Sequence, residues 1–166
     1  MKWITHQAVA VGAAYTMGMP MAGLAGVAVG SVLPDVLDQG IARLLIFRQQ
    51  AFKRIHRGAT HWFGWWLALF IAAMLKVNTL PLPPEATLMA MGIGFGALAH
   101  VLLDMCTVSG VPVAPWTKKH MISLKLCSTG SVQEYAFLGV VFVLFAFLAR
   151  QDLLRLASSA KRYLPM

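Results

Sequence analysis

The sequence predicts an all-α fold, a polytopic helical bundle held in a membrane, with about four apolar helical segments, the first of them kinked or folded into a short hairpin. Three observations carry this. Of 166 residues, 58% are hydrophobic and only 12% charged, well below the roughly one-quarter charged residues of a soluble domain. Several apolar runs approach the length of about 20 residues that a helix needs to cross the hydrocarbon core. The ionisable residues, finally, gather at the ends of those runs instead of being spread along them.

The first run, residues 8–33, is interrupted at 16–21 by Gly18 and Pro20, where a helix kinks or ends. Gly12, Gly23, Gly26 and Gly30 give it small surfaces that let neighbouring helices come close. A leader peptide is the competing reading of this stretch, with Ala22 to Ala25 as small residues for cleavage. That reading is set aside because the run continues without a polar break into Leu33-Pro34-Asp35 and because removal would discard His6. Three further runs follow at 62–75, 86–103 and 135–148. Trp62, Trp65 and Trp66 stand where an interfacial aromatic belt would lie, and the prolines of 80–84 force an abrupt turn between two spans. Two polar stretches, 35–61 and 107–133, fall on one side if the spans alternate. Their basic excess assigns that side to the cytoplasm, although the basic tail lies opposite. Length suits one membrane-embedded domain over residues 1–149, followed by a basic interfacial tail over 150–166.

Fourteen Lys and Arg against six Asp and Glu give a formal charge of +8, which in so apolar a chain faces anionic lipid headgroups. No nucleic-acid-binding motif accompanies the scattered basic residues, so a nucleic-acid partner is not expected. Cys106 and Cys127 form no CxxC pair and suggest neither a disulfide framework nor a zinc knuckle.

Ionisable groups at membrane depth are costly and by default mark a functional site. His100 and Asp104, four apart in a helical run, project from one face one turn apart and can bite a single cation; a buried His–Asp hydrogen bond is the plainer alternative. His56-Arg57-Gly58-Ala59-Thr60-His61 adds two histidines, with Gly58 permitting an irregular turn. Asp35 and Asp38 can share one helical turn, or serve as a helix cap or surface turn. Glu134 opens the last run, where helix-start capping also suits it. His6, alone near the start, is the weakest member. Mixed imidazole and carboxylate donors suit zinc foremost, with manganese or iron as alternatives to it, and the number of donors allows one or two ions.

Leu33-Pro34-Asp35, the His56 to His61 motif, Ala99-His100 through Asp104, and Gly110-Val111-Pro112 with Trp116 resemble the YdjM-like family of bacterial inner-membrane proteins, to which a metal-dependent hydrolase activity is ascribed from such motifs. The resemblance covers roughly residues 4–140. Thr5-His6 matches the family's early histidine, and Gly130 with Glu134 its late glycine and glutamate. Two departures stand out: one extra residue separates Asp35 from Asp38, and Trp62 replaces the serine that commonly follows the second histidine. More distantly, the His and Asp pattern is similar to zinc-dependent phospholipase C, an all-helical phosphodiesterase.

These readings combine into an expectation of hydrolysis of a phosphoester in a lipid or lipid-linked substrate. His6, Asp35, His56, His61, His100 and Asp104 are the expected metal ligands. Asp38 or Glu134 would accept a proton, and Arg57, with Lys118 or Lys119, would hold phosphate oxygens. The alternative is a non-catalytic metal-binding membrane protein, such as a transport component or an assembly factor. Transport would call for donors near the bilayer midplane, whereas here they cluster at span ends.

Overall fold

The computed structural model describes residues 1–45, 48–76 and 82–150, without the side chains of Arg48 and Lys76. The expected interfacial tail, from residue 151 onward, and the prolyl turn up to residue 81 lie outside the described residues. The chain forms α1 (Trp3–Thr16), α2 (Met21–Gly30), α3 (Leu33–Arg43), α4 (Arg48–Ile55), a 3-10 turn (Ala59–His61), α5 (Phe63–Lys76) and α6 (Pro84–Met105). Strands β1 (Val111–Ala114) and β2 (Thr117–Ile122) and helix α7 (Val132–Leu148) complete it.

The first apolar stretch is a hairpin. Gly18 adopts φ 75, a left-handed conformation open to glycine at little cost, and Pro20 caps the start of α2. Packing of α1 against α2 and α6 returns the chain start to the end of the bundle where α2 gives way to α3.

Helix α6 has 22 residues and is the one helix among those described that is long and apolar enough to cross a membrane. At 1.5 Å per residue it extends about 33 Å, against about 30 Å of hydrocarbon. Two bent pairs satisfy the same criterion jointly: Met21–Gly30 with Leu33–Arg43, bent by 45°, and Gln49–His61 with Phe63–Leu75, bent by 41°. Spans thus number one, or up to three with the bent pairs, and α7 is a shorter apolar helix.

Glycines knit α2 to α6. A Cβ on Gly92 would stand 2.0 Å from the Gly23 carbonyl oxygen, on Gly96 2.3 Å from that of Val27, and on Gly26 2.2 Å from that of Met89. Backbone meets backbone along this seam, the packing that small residues make available where lipid supplies no hydrophobic drive between helices. Polarity is turned inward: His6, Asp38, His61, His100, Asp104 and Glu134 are buried, while Phe142, Val143, Phe147, Leu69 and Ile71 are exposed.

Two expectations are corrected. The fold is predominantly helical but not all-α, because 111–122 forms an antiparallel hairpin pairing Val111 with Ile122 and Ala114 with Thr117. Lys118, Lys119 and His120 hide the strand character of β2, and Pro112 interrupts that of β1, where the pairing is irregular, as proline in a strand requires. The tryptophans also divide. Trp66 is buried against Ala97 and Val101 and donates to the Thr60 carbonyl at 2.7 Å. Trp62 donates to the Val113 carbonyl at 2.9 Å and so pins the hairpin. Of the three, Trp65 is the one left exposed to anchor at an interface.

Candidate metal centre

Three chain interruptions meet at one end of the bundle. The break between α2 and α3 presents Asp35 and Asp38, the break before α5 presents His56 to His61, and the last turn and a half of α6 presents His100 and Asp104. The chain start adds Trp3 and His6 from one face of α1. Two groups of side chains there bring their donor atoms close enough to share a cation: Asp35, Asp38, His56 and His61, and His6, His100 and Asp104.

The tautomers can be assigned from the partners. His100 Nδ1 lies 2.7 Å from the Ser31 carbonyl oxygen, which only accepts, so Nδ1 carries the proton and Nε2 a lone pair. Thr60 donates its hydroxyl to Asp38 Oδ1 at 2.5 Å, leaving the hydroxyl oxygen to accept from His61 Nδ1 at 3.1 Å. Asp38 Oδ2, 3.4 Å from the same nitrogen, favours the same tautomer. His61 Nε2 therefore also carries a lone pair, and the two Nε2 atoms face each other at 3.2 Å. Two lone pairs at that distance repel unless a cation lies between them.

Carboxylates complete the set. Asp35 Oδ1 is 3.4 Å from His61 Nε2 and 3.8 Å from His100 Nε2, and Asp104 Oδ2 is 3.6 and 3.7 Å from the same two atoms. Donors at about 2.0–2.2 Å from a tetrahedral ion stand about 3.3–3.6 Å apart, which these separations approach. Asp35 Oδ1 is buried without a hydrogen-bond partner, a costly condition that an ion would relieve. The residues present thus fit a divalent ion.

The remaining residues surround this core. Trp3 Nε1 donates to Asp35 Oδ2 at 2.8 Å and leaves Oδ1 to the centre. Arg57 donates to Asp104 Oδ1 at 3.0 Å and to the Thr107 hydroxyl at 2.7 Å, and the Met1 amino group also lies 2.6 Å from Asp104 Oδ1. His6 is fully buried with neither ring nitrogen hydrogen-bonded. It stacks on His100 at 3.8 Å between centroids and places Nε2 3.4 Å from Asp104 Oδ1. His56, with its side chain 31% exposed, is the accessible member, its Nδ1 3.2 Å from Asp38 Oδ2 and 3.5 Å from Asp35 Oδ1.

The residues read from the sequence take distinct parts. Gly58 makes the irregular turn expected of it, at φ −99 and ψ −130, where a Cβ would meet the Ile55 carbonyl oxygen at 2.6 Å, and Arg57 before it is left-handed at φ 57. Asp38 accepts from the Arg57 backbone at 3.0 Å as well as from Thr60, so it organises the histidine loop. Glu134 belongs to neither donor group. It accepts from the Lys2 backbone and the Thr5 hydroxyl on Oε1 at 2.6 and 2.7 Å, and from the Gly130 backbone on Oε2 at 2.6 Å. The cap of α7 itself is Ser131, whose hydroxyl accepts from the Glu134 amide, and the Glu134 carboxylate fixes the start of α1 beside His6. Lys118 reaches the His56 backbone carbonyl, whereas Lys119 projects to the other face of the strand. Trp3, Ser31, Thr60 and Thr107 were not singled out by their sequence context. Only Trp3, three residues before His6 on the same helical face, carried a usable signal.

Neither the comparison with curated proteins nor that with solved structures returned a match. The comparison with family models matches residues 1–159 to the family described as YdjM inner membrane protein. That match spans every element of the donor cluster, and the chain belongs to the YdjM inner membrane protein family.

Proposed function

We propose that the chain is a multi-pass, membrane-embedded, metal-dependent hydrolase that cleaves a phosphoester of a lipid or lipid-linked substrate. The observation that carries this reading is the facing pair of His61 and His100 Nε2 lone pairs, flanked by the unpartnered Asp35 Oδ1. His61, His100, Asp35 and Asp104 would hold one divalent ion, zinc foremost. When bound, such an ion acts as a Lewis acid and lowers the pKa of water toward neutrality.

The chain's own groups do the rest. Asp38 keeps the His61 proton on Nδ1, as carboxylates behind metal-binding histidines do. Arg57 holds Asp104 Oδ1 and turns Oδ2 to the centre. His56 is the titratable group at the solvent edge, placed to pass a proton between the centre and the surface or, with Asp38, to receive a second ion. Burial of the other donors keeps bulk water from the centre.

Metal content of the detergent-purified protein tests the site, with wild type beside the His100→Ala, Asp104→Ala double variant. Stoichiometric metal lost in the double variant is the expected result; a folded wild type that takes up no metal on reconstitution would overturn it. Turnover of phosphodiester, phosphomonoester and amide substrates then tests the chemistry. One observation favours a second reading, a metal-binding protein without catalysis: four protein donors close a tetrahedron, as in structural sites. Full metal loading without turnover on any of the three substrate classes would select it.

A further inference from the structure

A groove of about 300 Å³ opens between the histidine loop and the β-hairpin, beside the donor cluster. Asp38 and Thr60 form its floor, Ile41 its apolar side, and Arg54, Trp116 and Lys118 its rim. Floor and centre share residues, since Asp38 and Thr60 are the groups that orient His61.

The groove's charges are unevenly matched. Asp38 is 1% exposed and its oxygens are taken by the Thr60 hydroxyl and the Arg57 backbone. Arg54 and Lys118, by contrast, form no ion pair among the described residues. The Lys118 ammonium is anchored on the His56 carbonyl. Two cations without an ion-pair partner, at the edge of a floor whose carboxylate oxygens are already hydrogen-bonded, are suited to an anion with several acceptor oxygens. Trp116, at the hairpin tip, is 84% exposed, and Ile41 is exposed nearby. An exposed indole is a side chain that the headgroup level of a bilayer favours. Apolar contact beside paired cations distinguishes an amphiphile from a free ion.

We infer that this groove binds the phosphate-bearing headgroup of a membrane amphiphile, with Arg54 and Lys118 on the phosphate and Trp116 against the adjoining lipid. The inference locates the headgroup site for the hydrolase reading and rests on that reading only for the step after binding. Binding to the groove is measurable without turnover.

The test is calorimetric titration of the detergent-purified full chain with dihexanoylphosphatidic acid and, separately, inorganic phosphate. Wild type should bind the lipid, and the Arg54→Gln, Lys118→Met double variant should bind it about ten-fold more weakly or worse, the loss of a charge-assisted hydrogen bond. Trp116→Ala should weaken lipid binding and leave phosphate binding unchanged, and Lys118→Arg should retain affinity. Equal lipid affinity in wild type and double variant would overturn the inference. Inorganic phosphate binding as tightly as the lipid would also overturn it, in favour of a free-phosphate site. Metal content measured on the same samples separates the two readings: metal without lipid binding defeats the groove alone, and lipid binding without metal defeats the hydrolase alone.

Discussion

At the scale of single residues, the donor cluster separates groups that would face an ion from groups that aim them. Asp35 and Asp38 are three apart on one helix, yet Asp35 Oδ1 has no partner while Asp38 serves a hydroxyl and a backbone amide. Asp35→Ala should therefore abolish stoichiometric metal. Asp38→Asn should weaken metal binding by about 10–100-fold, the usual cost of losing a carboxylate behind a ligating histidine, with full occupancy recovered at high metal; competition with a chelator of known affinity measures both. Arg57 combines a left-handed backbone with a buried guanidinium on Asp104. Arg57→Ala should lower stability by about 1–3 kcal/mol, because Asp104 Oδ1 and the Thr107 hydroxyl each lose a buried donor while Oδ1 keeps the Met1 amino group, read as a fall in thermal midpoint of the apo protein. These roles were only partly legible in the sequence. Residue type and spacing identified the donors, but whether a carboxylate faces an ion or a neighbouring amide depends on side chains that meet from distant segments.

At the scale of elements, the seam between α2 and α6 sets the site. It brings the Ser31 carbonyl against His100 Nδ1 and so decides which histidine nitrogen is free. Gly92→Val should cost about 1–3 kcal/mol of stability through overpacking and should lower metal affinity as well, since a Cβ there already stands 2.0 Å from the Gly23 oxygen. Gly40→Ala in α3 meets nothing within 4 Å. It should leave metal binding unchanged and stabilise the helix by about 0.5–1 kcal/mol; thermal unfolding of the two variants side by side tests the contrast. The sequence marked glycines in α2 as helix-contact surfaces, and that pairing is seen. It could not show the hairpin at 111–122, because Lys118, Lys119 and His120 suppress apolar alternation and the segment after β2 is held to the end of α6 by long-range backbone bonds, Leu124 to Met105 and Leu126 to Cys106.

At the scale of the whole molecule, polar groups occupy the interior of one end and apolar groups the outside, so an ion should couple the segments thermodynamically. A divalent metal at about 100 times its dissociation constant should add about 2.7 kcal/mol of stability, seen as a rise in thermal midpoint that the His100→Ala, Asp104→Ala variant lacks. Glu134 ties α7 to the start of α1 through the Lys2 and Gly130 amides. Glu134→Ala should thus speed hydrogen exchange at those amides and at the first turn of α1, where His6 sits. The helical membrane character, the span ends as the place where ionisable residues gather, and the seven His and Asp donors that meet there were readable from the sequence alone, because burial cost and helical spacing act locally along the chain. Tertiary contacts alone set the hairpin of the first stretch, the tautomers of His61 and His100, the bonds of Glu134 to the start of α1 and the groove beside the centre. Those depend on which carbonyl, hydroxyl or amide arrives from a segment far away in sequence, and no periodicity records that encounter.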